Sequence, residues 1–320
     1  MKIVLLERDS IGGDMDVSCY EELGEVVAYG STRTEEEVKA RTRDADVVIA
    51  NKAPMTRNAL SEAGQLRLIC ILATGYDNCD TAWCREQGIR VCNVVNYSTA
   101  MVAQHTITLA LCLTQHILHY DAFVRGGAYS AQPAFSCFDV VFHELDGKTW
   151  GIVGMGHIGR RVAAIASALG CRIITHSLTG RTGGHAWEQV DREQLLRESD
   201  ILSLHCPLSD LSRHFMNADA FRLMKPSAYL INVARGPVVD QRALYQALMD
   251  GEIAGAAMDV MEKEPIPADD PLLRVKDSGK LIMTPHLAWA SVEARKRCML
   301  GVYENIRAWM RGEERNVVNG

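Results

Sequence analysis

Short, wholly apolar runs recur along the chain with polar, helix-forming stretches between them. In the first hundred residues the runs fall at 2–6, 46–50, 68–72 and 89–91, with a weaker one near 25–29. Stretches such as 35–43 and 78–87 carry the composition of surface helices. Strands that are apolar on both faces, alternating with helices, predict a parallel sheet covered on both sides. The span 99–120 reads as one long helix: Ser98 or Thr99 suits an N-cap, Val102, Ile107, Leu109, Leu113 and Ile117 give a broad apolar surface, and the span holds no Gly or Pro. Residues 125–147 break the rhythm with Gly126-Gly127 and Pro133, and Phe123, Phe135, Phe138 and Phe142 fall in or beside them. That pattern predicts an extended arm, about 121–147, whose aromatics serve a subunit contact.

A second alternating series starts at Lys148, with strands expected at 149–153, 172–176, 201–205, 229–233, 255–258 and 281–284. Six strands with intervening helices complete a doubly wound dinucleotide fold of the Rossmann type. The final helical pattern, 291–310, has no place left in that sheet and is expected to return to the first domain. The expected organisation is therefore a domain of residues 1–98 plus 290–320, flavodoxin-like and substrate-binding, with a Rossmann domain of residues 99–289 inserted into it.

Composition narrows the class. Hydrophobic residues make up 48% and charged residues 23% of 320 positions, as in ordinary globular chains, and the net charge of −6 argues against a nucleic-acid footprint. The ten cysteines form no Cys-x-x-Cys pair, and many lie inside apolar runs, so they read as buried thiols of a reducing compartment. Four apolar residues precede the first charges after Lys2, too few for a signal peptide, and no apolar run is long enough to span a membrane. The expected location is the cytoplasm. His116 and His119 share a helix face but lack a third ligand, and no metal is assigned.

The most informative motif is Gly154-Met155-Gly156-His157-Ile158-Gly159, which follows an apolar strand and opens a helical run. Gly154 permits the turn, Gly156 lets the backbone approach a pyrophosphate, and Gly159 allows helix–strand contact. His157 and Ile158 complete the loop's N–H donors. The same fingerprint calls for an acidic residue after the next strand, to hold the adenine ribose. Here Ser177 stands instead, followed by Arg181. Without a carboxylate to repel it, a 2′-phosphate is accommodated, and NADP(H) is the expected preference among NAD(P) forms. His205, Cys206 and Pro207 end a strand at the cofactor edge, with Cys206 read as cofactor wall.

Arg235, Glu264 and His286 follow three late strands of the second series, at the edge where such sheets bind ligands. Hydride addition to a ketone builds charge on oxygen. A protonated histidine donates to that oxygen, a neighbouring carboxylate stabilises the imidazolium, and an arginine holds a planar carboxylate through two hydrogen bonds. His286 is thus the candidate acid/base, Glu264 its partner and Arg235 the substrate anchor.

These segments resemble the NAD(P)-dependent D-isomer-specific 2-hydroxyacid dehydrogenase family over nearly the full chain. The resemblance is carried by the glycine motif, by Asn232-Val233-Ala234-Arg235-Gly236-Pro237, by Met258-Asp259-Val260-Met261-Glu262-Lys263-Glu264-Pro265 and by Thr284-Pro285-His286. It assigns the same roles to Arg235, Glu264 and His286, and it implies a closing cleft and a homodimer built on the inserted domain and its arm. It places the nicotinamide near Val233, Ala234 and Asp259, with Cys206 and Pro207 near its ribose, and directs N–H groups around Thr74 and Gly75 to the substrate carboxylate. Lys52 lies near the expected cleft and is a candidate contact for a polar substrate tail. Within the family the chain is most similar to glycerate dehydrogenases and hydroxypyruvate reductases, through Ala73-Thr74-Gly75-Tyr76-Asp77 and His286-Leu287-Ala288-Trp289. The expected reaction interconverts hydroxypyruvate or glyoxylate with D-glycerate or glycolate. The alternatives are another 2-hydroxy acid for the same enzyme class, or a dinucleotide-sensing, corepressor-like scaffold of the same fold, which hydride transfer to any keto acid excludes.

Overall fold

The computed structural model describes every residue except 181–183 and 185. The chain divides into two compact units, Met1–Ser98 with Trp289–Gly320, and Thr99–Ala288.

In the first unit the apolar runs become strands β1 (Lys2–Leu5), β2 (Glu25–Ala28), β3 (Val47–Ala50), β4 (Leu68–Ile71) and β5 (Arg90–Cys92). All pair in parallel, in the order β2-β1-β3-β4-β5. This is the flavodoxin-like order. Helices α1 (Glu35–Thr42) and α2 (Thr81–Glu86) are capped by Thr34 and Asp80. One sheet face packs Val4, Val48, Ile69 and Val91 into a single core.

At the carboxyl end of β1, Glu7 is buried, and its carboxylate accepts the N–H groups of Asn51, Lys52 and Ala53 at 2.7–3.0 Å. The turn after β3 is therefore fixed by one side chain from β1. Replacing Glu7 by Ala leaves three backbone donors unpaired, two of them on buried residues. Glu7→Ala is expected to cost roughly 3 kcal/mol in urea unfolding; an unchanged midpoint would contradict this account of the turn.

The second unit opens with α3 (Thr99–Thr114), α4 (Ile117–Arg125) and α5 (Ala128–Ala131). The single helix expected over 99–120 is thus two. His116 between them adopts a left-handed conformation, φ 51 and ψ 38, and its N–H turns back to the Leu113 carbonyl. Its ring sits against Gly279, where a Cβ would lie 3.0 Å from His116 Nδ1. Tertiary packing here overrides a locally favourable helix. Beyond α5 the chain is irregular, and Phe135 and Phe138 are 90% and 85% exposed.

The remaining strands are β6 (Thr149–Val153), β7 (Arg172–His176), β8 (Glu188–Gln189), β9 (Ile201–Leu204), β10 (Tyr229–Asn232), β11 (Gly255–Met258) and β12 (Leu281–Met283). They form one parallel sheet, β12-β11-β10-β9-β6-β7-β8. The order is the Rossmann order, with seven strands rather than the expected six: the short β8 extends the edge beyond β7. Alternate residues feed two cores, Leu202 and Leu230 on one face, Ile201 and Ile231 on the other. Helices α6 (His157–Ala168), α7 (Arg192–Glu198), α8 (Ala218–Leu223) and α9 (Gln241–Asp250) connect them. The last helix, α10 (Val292–Met310), belongs to the first unit, where it packs near β4 and Tyr20 donates to the Met299 carbonyl. Among the described residues no helix is long and apolar enough to cross a membrane.

Candidate active site

The glycine motif bridges β6 and α6, and its first and last glycines answer measurable constraints. Gly154 has φ 95, and a Cβ there would stand 2.8 Å from both the His205 carbonyl carbon and the Cys206 nitrogen. A Cβ on Gly159 would meet the Gly154 oxygen at 2.2 Å, so this glycine lets α6 approach the strand end. Gly156 faces open space and caps α6 with no side-chain acceptor. The first N–H groups of α6 are consequently left for an external acceptor, at the positive end of the helix dipole. This open cradle fits a dinucleotide pyrophosphate. When bound, the cofactor supplies a hydride.

Beside the cradle is a cavity of about 240 Å³ lined by Gly154, Met155, Ser177, Thr179, Cys206 and Pro207, among others. Ser177 follows β7 at the place the fingerprint reserves for an acid, and the described lining residues include no carboxylate. Arg181 lies outside the described residues. Burial pushes the Cys206 thiol up to about 11, so it stays protonated as wall rather than acting as a nucleophile.

At the end of β10 the buried Asn232 shapes the turn that carries Arg235. Its Oδ1 accepts the Ala234 N–H and its Nδ2 donates to the Arg235 carbonyl. Val233 is buried and Ala234 half-buried. Gly236 follows because a Cβ there would come within 1.9 Å of the Met261 carbonyl. That contact presses the Arg235 turn against the loop after β11, which bears Glu264. Glu264 Oε1 accepts the Met261 N–H at 3.0 Å, and Oε2 lies 2.7 Å from His286 Nδ1.

His286 has a left-handed backbone, φ 56, uncommon for a residue with a side chain. Asp259 supports it. The Asp259 carbonyl accepts the His286 N–H at 2.8 Å, while its buried carboxylate accepts the Thr284 hydroxyl and the N–H groups of Leu287 and Ala288 at 2.5–2.9 Å. His105 Nε2 lies 3.5 Å from the same carboxylate and 3.2 Å from the Thr284 hydroxyl. Burial raises the Asp259 pKa, but hydrogen bonds from His105, Thr284 and the two N–H groups outweigh it and hold the group below its ordinary 3.8.

In the first unit, Lys52 occupies the turn held by Glu7. Thr74 and Gly75 follow β4, in a loop tied by the Thr74 hydroxyl to the Val94 carbonyl and by Asn93 Nδ2 to the Thr74 carbonyl. Among the described residues, the Thr74 and Gly75 N–H groups have no acceptor. Sequence reasoning missed Glu7, Asn232, His105 and Thr284 as supports of these loops. For Asn232 a signal existed, a polar residue closing an apolar strand; for the others, the partners are too distant in sequence to be paired by pattern.

The chain matches the family model described as "D-isomer specific 2-hydroxyacid dehydrogenase, NAD binding domain" over residues 107–288. It is 37% identical to a hydroxypyruvate reductase of Blautia hydrogenotrophica, with 100% of each chain covered. It is 38% identical to a glycerate dehydrogenase of Methylorubrum extorquens, covering 99% of this chain and 98% of that one. A solved acyclic imino acid reductase in complex with NADPH and D-Arg superposes with a TM-score of 0.89 at 29% identity, over 99% of this chain and 100% of that one.

The Asp259 geometry has a pH consequence. A carboxylate with a lowered folded pKa stabilises the fold above its unfolded value and loses that contribution as pH falls through the folded value. The stability difference between the native protein and Asp259→Asn, read by urea unfolding, is therefore expected to be full near neutrality and to shrink below pH 3.8. A gap independent of pH would refute an ionised Asp259 at this turn.

Proposed function

The chain belongs to the D-isomer specific 2-hydroxyacid dehydrogenase family, and from that premise we propose that it reduces a small 2-keto acid, hydroxypyruvate to D-glycerate or glyoxylate to glycolate, with NADPH preferred over NADH. The observation that carries this reading is the 2.7 Å contact between His286 Nδ1 and Glu264 Oε2.

With Nδ1 facing a carboxylate, Nδ1 carries its proton and Nε2 is the atom that exchanges one with substrate. In reduction, His286 Nε2 donates a proton to the ketone oxygen as negative charge develops there; in oxidation it accepts the hydroxyl proton. Glu264 holds the ring through its 2.7 Å contact with Nδ1. Arg235, on the turn shaped by Asn232 and Gly236, is the anchor for the substrate carboxylate. Thr74 and Gly75 offer two N–H donors for the same group, and Lys52 a cation for a polar tail.

Val233, Ala234 and Asp259 wall the nicotinamide end in this reading. Gly154, Gly156, His157, Ile158 and Gly159 hold the pyrophosphate, and Cys206 and Pro207 the adjoining ribose. Ser177 and Arg181 take the 2′-phosphate, the neutral lining beside Ser177 supporting this choice. The exposed Phe135, Phe138 and Phe142 support a homodimer through the arm, and the buried free thiols support a cytoplasmic location.

Initial rates over a panel of keto acids, each with NADH and NADPH, test the substrate and cofactor. Hydroxypyruvate and glyoxylate are expected to give the highest kcat/KM, and NADPH the lower KM; a strong NADH preference would remove the role given to Ser177 and Arg181. His286→Ala is expected to lower kcat by about 10²–10⁴-fold with NAD(P)H affinity retained. Turnover near the native rate would reject the acid/base assignment.

A further inference from the structure

Glu264 lies in a stretch that does little to hold itself. From Glu262 to Asp270 the chain forms no helix or strand, and none of its residues is buried. Pro265 and Pro267 within it supply no N–H. Among the described residues its only internal main-chain bond runs from the Asp270 N–H to the Pro267 carbonyl, at 3.1 Å. Both ends of the stretch are instead held by one side chain of another element, Gln241, the first residue of α9. Gln241 is only 4% exposed. Its Oε1 accepts the Glu262 N–H, and its Nε2 donates to Asp270 Oδ2 at 3.0 Å. Asp270 Oδ1 in turn accepts the Leu272 N–H at 2.9 Å and opens the turn Pro271–Arg274. Gln241 is itself placed by Asp240, whose carboxylate caps α9 by accepting the N–H groups of Arg242 and Ala243 at 3.0 and 3.1 Å.

This pairing selects an amide. One partner is an N–H donor and the other a carboxylate acceptor, so the two partners also fix which end of the amide is oxygen. A carboxylate at 241 would accept the Glu262 N–H but face Asp270 with a like charge. An apolar side chain of the same length would leave both partners unmet.

The consequence for the site lies in two consecutive N–H groups. That of Met261 goes to Glu264 Oε1 at 3.0 Å, and that of Glu262 goes to Gln241. The Met261 carbonyl, in the same peptide as the Glu262 N–H, is what a Cβ on Gly236 would strike. Gly236 and Gln241 together therefore set the orientation of this peptide. Turning it would carry the adjoining Met261 N–H away from the Glu264 carboxylate, whose other oxygen meets His286 Nδ1.

We propose that Gln241 is a positioning residue for the acid/base pair: by holding the Glu262 N–H and Asp270, it keeps the Glu264 carboxylate at His286. It acts through Glu264 alone. The inference rests on the reading of His286 and Glu264 as that pair.

The test measures kcat and KM for hydroxypyruvate and for glyoxylate with NADPH, and Kd for NADPH, in variants whose folding is checked by urea unfolding. Gln241→Met is expected to lower kcat by about 10–100-fold, with Kd for NADPH unchanged. In a Glu264→Ala background the same change is expected to cost nothing further, since no carboxylate is left to position. Gln241→Glu alone is expected to lose turnover as Gln241→Met does. Gln241→Glu together with Asp270→Asn exchanges donor and acceptor between the two side chains, keeps both bonds and is expected to restore most of kcat. That exchange decides the matter if Gln241→Met does not fold. A native kcat in folded Gln241→Met, a loss of the same size with and without Glu264, or no recovery in the exchanged pair would overturn the proposal and leave the acid/base pair standing. A Glu264→Ala variant with native turnover, or a native protein that reduces neither keto acid, would overturn the reading beneath it as well.

Discussion

The candidate centre depends on one buried carboxylate. Asp259 stands just after β11, and its two oxygens gather the Thr284 hydroxyl and the N–H groups of Leu287 and Ala288, while its carbonyl holds the His286 N–H. These bonds surround His286 in its left-handed conformation, which is uncommon for a residue with a side chain. Once the backbone is held that way, Nδ1 meets Glu264. The contact that defines the proposed acid/base pair is thus a consequence of what a neighbouring strand does with its terminal aspartate.

A second constraint is close approach of main chains. At Gly154 and at Gly236 another segment passes so near that any side chain would collide with backbone. At Gly154 the neighbour is the His205–Cys206 peptide, at Gly236 the Met261–Glu262 peptide. Both contacts join turns that follow different strands of one parallel sheet. A parallel sheet brings its carboxyl ends to a common edge; the glycines convert that common edge into contact, and so put Arg235 and Glu264 on loops that touch.

Much of this was legible in the chain. The apolar runs are strands because a sheet covered on both faces removes the need for alternation, and the parallel order of both sheets follows from the helices between them. The helix break at His116 was not legible, since no Gly or Pro marks it and its cause is packing against residue 279, far away in sequence. The two-residue β8 is too short to leave a pattern. The support around the candidate site was hidden for a similar reason. Asp259 reads from sequence as a wall for a bound ring, and only the fold reveals that its carboxylate is engaged by residues 284–288. Glu7 reads as the first charge after a strand, yet it is buried and holds a turn that follows β3.

Pattern therefore finds the groups that face a ligand more readily than the groups that hold them. Ligand-facing residues sit at fixed offsets from strand ends, where a motif records them. Holding residues need only reach a backbone N–H or carbonyl, and many chain positions satisfy that. His205 stands between the two kinds. It occupies a strand end, as a ligand-facing residue does, and one of its nitrogens belongs to an internal hydrogen-bond chain from Trp150 through Ser203. The same accounting that explains Asp259 leaves two buried side-chain atoms without a partner among the described residues, Thr42 Oγ1 and His205 Nδ1.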